Sequence, residues 1–283
     1  MRYQSLFLLG GHDLEMNAII QLLEEHHLIY KDRSLQWNNA YLSQYEQDLS
    51  LFKDNSSYKI YGIELQEDIV PPSNYVRIDH HNQYTKLPSA LEQIAELLHH
   101  PLNRWQQLIA INDKAYIPGL QQAGASQEEI LRIRFEDRKA QGVSINDELL
   151  AEKAIRENKE ETENLIVVRA YSDRFSPICD RLYPFKQLLI YTDKELVYYG
   201  KGIPLLQKIF KEELLAGKMF CGGGDNGYLG TKQKRYSFIE LQTIINQIKQ
   251  YMSWINTVIA ITFFIFLLNG IYLKKRKSYF LNK

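Results

Sequence analysis

The triplet Asp79-His80-His81 is the feature that most constrains this chain, because it directly follows a short strand-like run, Tyr75 to Ile78. A carboxylate and two imidazoles at the carboxyl end of a strand form a site for a metal ion or a phosphate at the edge of an α/β sheet. Adjacent histidines also occur in solvated loops, and His26-His27 and His99-His100 have that character. The triplet therefore becomes informative only if other carboxylates follow other strands.

The pattern of apolar residues predicts an α/β fold. Residues 5–9 form a strand-like run, which is followed by Gly10-Gly11 and by a helix with apolar residues at helical spacing. Further strands are predicted over 28–30, 58–63 and 75–78, and further helices over 38–52, 89–98 and 103–113. This alternation favours a mostly parallel sheet with helices on both faces.

The remainder of the chain predicts a connector and a second, smaller α/β domain. Residues 126–160 are highly charged and helix-forming, with Ser126 and Glu129 spaced as a capping box. After them, strands are predicted over 165–169, 187–191 and 196–199, a helix over 205–215, and a glycine-rich segment over 220–230. The predicted domains are therefore 1–125, the helical connector 126–160, and 161–250.

The segment 254–273 predicts a C-terminal transmembrane helix. It contains no charged residue, and its length matches the roughly 20 residues that span a bilayer. The alternative is a soluble apolar helix, which would normally show a polar stripe. The basic tail 274–283 favours a cytoplasmic tail, whereas the lack of a secretion-like apolar run near residue 1 favours a cytoplasmic main body. We expect a cytoplasmic body anchored by one C-terminal helix.

Charge and cysteine content exclude two broad classes of function. Lys plus Arg and Asp plus Glu each total 34, so the chain offers no general attraction for long nucleic acid. The two cysteines, Cys179 and Cys221, fit no zinc-binding spacing and are too few for a disulfide framework. A polyanionic substrate would have to be bound by local groups.

Further carboxylates do follow other predicted strands. Asp13 and Glu15 follow the first strand, Glu64 ends the strand over 58–63, and Asp113 closes the helix over 103–113. Carboxylate and imidazole ligands from separate loops suit Mn²⁺ or Mg²⁺, and a pair of such ions clamps a phosphoryl group. The expected reaction is hydrolysis of a phosphoester or a phosphoanhydride.

Each of these residues also has a simpler interpretation. Asp13 could only cap the helix that begins near Leu14. Glu64 could lie in a solvated loop, Asp113 could end a helix and pair with Lys114, and His12 could be a cap or an exposed side chain.

Taken together, the motifs resemble the DHH phosphoesterase superfamily. The matching stretches are Gly-Gly-His-Asp-Leu-Glu-Met at 10–16, Tyr-Gly-Ile-Glu at 61–64, Ile-Asp-His-His-Asn at 78–82 and Ile-Asn-Asp at 111–113. The segment 221–230, Cys-Gly-Gly-Gly-Asp-Asn-Gly-Tyr-Leu-Gly, is similar to the glycine-rich loop of the DHH-associated substrate domain. The resemblance covers about residues 5–230.

The resemblance implies a role for each matching residue. The implied metal ligands are Asp13, Glu15, Glu64, His80 and Asp113, with His12 as a further candidate. His81 would face the phosphate, and Asp79 would orient the neighbouring imidazole. The glycines of the loop, Gly222, Gly223 and Gly224, would bind the substrate through backbone N–H groups, and the charge of Arg174 makes it a further substrate-binding candidate. The implied cofactor is Mn²⁺ or Mg²⁺, as two ions, in a cleft between the two domains.

The sequence also departs from the family pattern. Leu9 stands where members usually carry a histidine, Glu15 and Glu64 stand where they carry aspartate, and Asp225 and Asn226 replace a histidine after the glycines.

Two further groups in the second domain have open alternatives. Arg169, Arg174 and Arg181 could contact phosphate or form surface ion pairs. Tyr198, Tyr199 and Tyr228 could stack on a base or belong to the core.

The sequence thus predicts a metal-dependent phosphoesterase that hydrolyses a small nucleotide, a short oligonucleotide or a cyclic dinucleotide. Pyrophosphate and polyphosphate belong to the same reaction class. The alternatives are a catalytically degenerate nucleotide-binding sensor and a subunit of a membrane complex, with a homodimer or a membrane protein as the partner.

Overall fold

The computed structural model describes residues 4–36, 39–53, 55, 57–223, 227–232 and 235–252. The chain divides into two units, Met1–Ser144 and Ile145–Lys283, each with its own β-sheet.

The first unit is built on a four-stranded parallel sheet. Its strands are β1 (Gln4–Leu9), β2 (Ile29–Lys31), β3 (Tyr58–Ile63) and β4 (Tyr75–Ile78), in the order β2-β1-β3-β4. Its helices are α1 (Leu14–Glu25), α2 (Glu46–Phe52), α3 (Ala90–Leu97), α4 (Arg104–Gln122) and α5 (Gln127–Ala140), with 3₁₀ turns at Leu42–Tyr45 and Asn82–Tyr84. All three strand pairings are parallel, so the predicted α/β fold with a parallel sheet is confirmed.

Both faces of this sheet are buried. On one face, Leu6 and Leu8 of β1 pack with residues of the 3₁₀ turn and α2, among them Tyr45. Side chains alternate between faces along a strand, so Phe7 belongs to the opposite face, where its ring stacks on Tyr61 with 4.9 Å between centroids. Burial on both sides explains why β1 is a continuous apolar run in the sequence.

The predicted helix over 38–52 is wrong in its first part. Tyr41 is extended and pairs with Gln66 as an isolated parallel bridge, so the chain runs beside the sheet before it turns at Leu42–Tyr45. Backbone hydrogen bonds from Leu42 to Gln66 and from Gln66 to Ala40, each 2.8 Å, hold this segment. The α-helix begins only at Glu46.

The predicted helix over 103–113 ends close to where the regular helix does. A capping box of Asn103 and Gln106 begins α4, and its helical backbone is interrupted at Tyr116, where φ is 54° and ψ is −153°, before a second helical segment that runs to Gln122. Pro118 follows the interruption, and its ring and missing N–H prevent a regular helix at that point. Asp113 therefore lies in the last turn before the interruption, which agrees with its interpretation as a residue near a helix end.

The second unit is built on a six-stranded mixed sheet with the order β5-β6-β7-β8-β10-β9. Only β6 and β7 pair in parallel. The elements are α6 (Ile145–Asn158), β5 (Lys159–Glu161), β6 (Ile166–Arg169), α7 (Ser176–Leu182), β7 (Gln187–Tyr191), β8 (Leu196–Gly200), α8 (Ile203–Ile209), α9 (Lys211–Leu215), β9 (Met219–Gly222), β10 (Tyr228–Thr231) and a helical segment over 238–252. The predicted single helix over 205–215 is thus two short helices separated at Phe210.

Two buried clusters lie on the two faces of this sheet. Alternate residues Val167 and Leu189 contribute to a cluster that includes Leu241 and Ile248 of the helical segment 238–252. Their neighbours along the strands contribute to the other cluster, which includes Ile178 of α7.

Several predictions about domain limits remain predictions. Helix α5 belongs to the first unit and α6 to the second, whereas the sequence grouped both in a connector over 126–160.

In the described part of the chain, no helix has both the length and the apolar character needed to cross a membrane. The predicted span 254–273 and the basic tail 274–283 lie outside the described residues.

Candidate metal centre

The register of the parallel sheet brings three predicted motifs to one edge. Leu9 pairs with Ile63, and Ile63 pairs with Ile78, so β1, β3 and β4 end side by side. The residues that follow these strands, Gly10 and Glu64 among them, are therefore neighbours across the sheet. This is why groups far apart in sequence meet at one point.

Close backbone packing places Glu64. A Cβ atom on Gly10 would lie 2.3 Å from the carbonyl oxygen of Glu64, so only glycine fits beside it. The backbone N–H of Glu64 donates to the carbonyl of Ile78 at 2.8 Å, and its φ of 53° lies in the left-handed region. Left-handed backbone at a non-glycine residue is strained and is concentrated at functional sites.

Three carboxylates surround one imidazole nitrogen. The Nε2 atom of His80 lies 2.6 Å from Asp113 Oδ2, 3.3 Å from Glu64 Oε1 and 3.6 Å from Glu15 Oε2. Glu64, which the simpler interpretation placed in a solvated loop, is only 4% exposed, so that interpretation is wrong. The structure thus brings together four of the five predicted metal ligands.

Several buried polar atoms of the cluster have mainly one another as polar neighbours. Among the described residues, five of them make no well-directed hydrogen bond, although His80 Nε2 and Asp113 Oδ2 are in close contact: Glu15 Oε2, Glu64 Oε1, Glu64 Oε2, His80 Nε2 and Asp113 Oδ2. An unpaired buried polar atom costs about 1–3 kcal/mol, and more when it is charged. So many in one place indicate that their natural partner is a cation.

The spacing of the donor atoms fits one divalent cation. Glu64, His80, His81 and Asp113 each offer an atom within 4.8 Å of the others. An octahedral ion with ligands at about 2.1 Å separates adjacent ligand atoms by about 3 Å and opposite ones by about 4.2 Å. The observed separations cover this range, so the residues present fit such an ion.

The state of His80 also fits a ligand. Burial lowers the pKa of His80 to about 4, with a further contribution from the charge of His81. A neutral imidazole has a free lone pair, which is the form that binds metals.

The crowded carboxyl groups hold protons more tightly than usual. Burial raises the pKa of Glu15 to about 7, and burial with the charges of Glu15 and Asp13 raises that of Asp113 to about 9. Burial and the same neighbours keep the pKa of Glu64 well above its ordinary value. A divalent cation among these groups would reverse the effect, because it favours their ionised forms.

Asp13 has the capping role that the simpler interpretation gave it. Its Oδ1 accepts a hydrogen bond from the N–H of Met16 at 2.9 Å at the start of α1. Asp13 is also buried, which raises its pKa to about 6. Asp13 is outside the group of potential ligands formed by Glu64, His80, His81 and Asp113, and its role as a metal ligand remains a prediction.

His81 is the most accessible imidazole of the motif. Its Nδ1 lies 3.1 Å from Asp79 Oδ1, and its backbone N–H donates to the same oxygen at 2.9 Å. This interaction raises the pKa of His81. Burial tends to raise the pKa of Asp79, but the hydrogen bonds from His81 outweigh it and the pKa lies below its ordinary value. The side chain of His81 is 38% exposed and can contact a substrate.

Sequence reasoning missed a buried network behind the centre. Asp137 of α5 accepts a hydrogen bond from the N–H of Leu14 at 3.4 Å and one from Arg134 at 2.6 Å. Arg134 also donates to Asn112 Oδ1 at 3.0 Å, beside Asp113. In the sequence, Arg134 and Asp137 look like any exposed pair on a charged helix, so no local signal identifies them.

Two other residues considered in the sequence, Lys114 and His12, are outside the group of potential metal ligands. Lys114 donates to the carbonyl of Leu87 at 2.6 Å rather than pairing with Asp113. His12 is half-buried and is outside the group of potential ligands.

In the second unit, the structure describes part of the predicted glycine loop. Gly222 ends β9 and pairs with Tyr228 of β10, and Gly223 has a φ of 76°. Gly224, Asp225 and Asn226 lie outside the described residues.

The candidate arginines and tyrosines of this unit differ in whether they are ion-paired, buried or exposed. Arg169 pairs with Asp193 at 3.0 Å, and Arg181 pairs with Glu148 at 2.6 Å, as in the ion-pair alternative. Arg174 is exposed in the loop before α7. Tyr198 is fully buried in the core, whereas Tyr228 is exposed.

Comparisons with known proteins give matches in structure alone. No protein-family model and no curated protein sequence matches this chain. Among solved structures, a pGpG-specific phosphodiesterase, PggH from Vibrio cholerae, matches with 12% identity and a TM-score of 0.48, over 89% of this chain and 99% of that protein.

Two further structures match at similar levels. A DHH domain from a protein described as a member of a family of ribosomal proteins has 11% identity and a TM-score of 0.47, over 88% of this chain and 86% of that one. RecJ from Thermus thermophilus in complex with Mn²⁺ has 10% identity and a TM-score of 0.43, over 85% and 51%.

Proposed function

We propose that this chain is a metal-dependent phosphoesterase that hydrolyses the phosphodiester bond of a small nucleotide, a short oligonucleotide or a cyclic dinucleotide. The observation that carries the proposal is the convergence of Glu15, Glu64 and Asp113 on Nε2 of His80, at a buried site whose polar atoms are crowded against one another. Such a cluster holds a divalent cation, and its exposed edge is occupied by a histidine that can reach a phosphate.

A divalent cation bound there would acidify a water molecule and offset the negative charge of a phosphoryl group. Neutral His80 and the carboxylates of Glu15, Glu64 and Asp113 would hold the ion. We propose Mn²⁺, with Mg²⁺ as the alternative, because mixed nitrogen and oxygen ligands suit Mn²⁺. Two ions are proposed, with Asp13 as a ligand of the second.

His81 would act on the phosphate. Its Nδ1 lies 3.1 Å from Asp79 Oδ1 and its side chain is 38% exposed beside the cluster, which supports contact with a phosphoryl oxygen. When protonated, His81 would donate a hydrogen bond and stabilise the charge that develops in the transition state. Asp79 fixes the orientation of the ring.

Activity measurements on matched variants test this function. The full chain is incubated with Mn²⁺ and with bis(p-nitrophenyl) phosphate, linear dinucleotides and cyclic dinucleotides. We expect hydrolysis by the unmodified chain, loss to background in His80→Ala, and a loss of about 10²–10⁴-fold in His81→Ala, the range for a positioned acid or base. His26→Ala is the control, because His26 lies on the exposed surface near His100. Activity that survives His80→Ala would contradict the proposal.

A specific observation favours a second candidate, a nucleotide-binding sensor without turnover. Leu9 is 0% exposed in the core, so the position where the family resemblance implies a histidine offers no ligand. Nucleotide binding without hydrolysis in the same assays would support the sensor.

We also propose that 254–273 anchors the chain in a membrane through its charge-free apolar sequence, with the main body in the cytoplasm. The anchored chain would then associate at the membrane with a second copy of itself or with a membrane protein.

A further inference from the structure

A pocket of about 410 Å³ lies beside the candidate metal centre in the first unit. Glu64, Asp79 and His81 form one part of its lining, so a molecule in the pocket would lie next to the centre. The rest of the lining includes Arg77 and Tyr84. Neither of these belongs to the predicted site.

Arg77 is already neutralised by carboxylates. Its Nε donates to Glu67 Oε1 at 2.8 Å, its Nη2 lies 2.6 Å from Glu67 Oε2, and its Nη1 lies 3.6 Å from Asp79 Oδ2. Its guanidinium carbon also lies 4.8 Å from the ring centroid of Tyr84. Arg77 therefore supports the tyrosine ring and the Asp79 carboxylate rather than offering an unpaired positive charge.

The chemistry of the lining favours a neutral occupant. Glu64 and Asp79 line the pocket and its arginine is already paired with Glu67, so the pocket offers no unpaired guanidinium to a second phosphate. Besides His81, the polar lining includes the amides of Gln66, Asn82 and Gln83, which both donate and accept hydrogen bonds. A planar group with donors and acceptors on its edge would form hydrogen bonds with these amides. Its face would stack on the Tyr84 ring.

We propose that this pocket binds the nucleobase of the nucleotide whose phosphate lies at the metal centre. Its volume falls within the range of small-molecule sites. Tyr84 provides the stacking surface, Arg77 positions Tyr84, and the amides contact the edge of the base. The proposal rests on the proposed function for the phosphate position. It selects nucleoside-bearing phosphodiesters over pyrophosphate and polyphosphate, which have no group to fill the pocket.

Kinetics of Tyr84 variants test the pocket. In the full chain with Mn²⁺, Tyr84→Ala should raise KM for a linear dinucleotide about tenfold, within the range for loss of one base–aromatic stack, with little change in kcat. Tyr84→Phe should restore KM, because phenylalanine keeps the stacking face. Tyr30→Ala is the control, since Tyr30 interacts with Glu24 on the exposed surface. Thermal unfolding checks that each variant is folded. An unchanged KM in Tyr84→Ala would overturn the proposal.

A binding measurement separates failure of the pocket from failure of the proposed function. If the unmodified chain cleaves no phosphodiester, the proposed function fails, but the affinity for a fluorescent nucleoside monophosphate still tests the pocket. Tyr84→Ala should weaken that binding about tenfold, whereas Tyr84→Phe and Tyr30→Ala should not. Equal affinity for all four proteins, or no binding to the unmodified chain, would overturn the pocket.

Discussion

At the scale of single residues, the centre is a cluster of buried carboxyl groups whose ionised forms are unfavourable without a bound cation. Glu15, Glu64 and Asp113 are close to one another and to His80, and burial removes the water that would otherwise solvate them. Buried charge without a partner is costly, so the metal-free protein keeps protons on these groups. A bound cation would replace those protons.

This exchange predicts how stability depends on pH. The pKa of Glu15 is raised from 4.5 to about 7 and that of Asp113 from 3.8 to about 9. A carboxyl group whose pKa is higher in the folded than in the unfolded state contributes to stability at pH values below its unfolded pKa. This contribution is lost as the pH rises through its folded pKa. The metal-free chain should therefore show a falling thermal midpoint from about pH 6.5 to 9.

The titration of His80 does not mask the expected decline in the thermal midpoint between pH 6.5 and 9. Its pKa is lowered from 6.5 to about 4, so it weakens stability only as pH falls below 6.5. The measurement is the thermal midpoint against pH in EDTA, and again with Mn²⁺, which should remove the decline. Asp113→Asn in EDTA should flatten the decline. A midpoint that is constant or rises from pH 6.5 to 9 in EDTA would contradict the account.

At the scale of elements, the centre depends on how α1, α4 and α5 are held together. Asp137 of α5 accepts from the N–H of Leu14, between Asp13 and Glu15, and pairs with Arg134, which binds Asn112 next to Asp113. One buried carboxylate thus connects the two helices that carry Glu15 and Asp113. Its role is to position the ligands.

Substitution of Asp137 tests this role. Asp137→Asn removes the charge that holds Arg134, and we expect Mn²⁺ affinity to fall about 10–100-fold, as for other residues that orient metal ligands. The control is Glu136→Gln, which alters a neighbour that pairs with Lys139 on the surface. Calorimetric titration with Mn²⁺ gives the affinity, and circular dichroism checks folding. Equal affinities in the two variants would rule out the positioning role.

The elements also show what local sequence patterns can and cannot specify. The strand ends at Leu9, Ile63 and Ile78 follow from apolar runs and glycine punctuation, so the meeting point of the motifs was predictable. The path of Ala40 to Tyr45 was not, because its bonds to Gln66 are tertiary. The end of the first helical segment of α4 soon after Asp113 was predictable from Pro118, whereas the second segment that continues to Gln122 was not.

At the scale of the whole molecule, the sequence predicted two α/β units, but it did not give the mixed order of the second sheet. Strand order in a mixed sheet is set by long-range pairing, such as the insertion of β10 between β8 and β9, which adjacent sequence does not record. The pocket beside the metal centre was missed for a similar reason. Gln66, Arg77 and Tyr84 come from separate segments and show no shared motif.

The proposed anchor makes a prediction for the whole chain. The full chain should sediment with membranes and resist extraction by alkaline carbonate. Phe264→Arg with Leu267→Arg should release it, because each charge near the bilayer centre costs about 2.5–3.5 kcal/mol. The control is Leu51→Arg with Val70→Arg, which places the same charges on exposed positions of the first unit. Release of the unmodified chain by carbonate would contradict the anchor.

The central claim is that the groups around His80 bind a divalent cation, and a titration of the full chain with Mn²⁺ tests it most directly. After treatment with EDTA and its removal, the unmodified chain should bind Mn²⁺ at one or two ions per chain. His80→Ala and Glu64→Gln should lose at least one of these ions, while His26→Ala should bind as the unmodified chain does. The absence of Mn²⁺ and Mg²⁺ binding by the folded, unmodified chain, or undiminished binding by His80→Ala, would contradict the account.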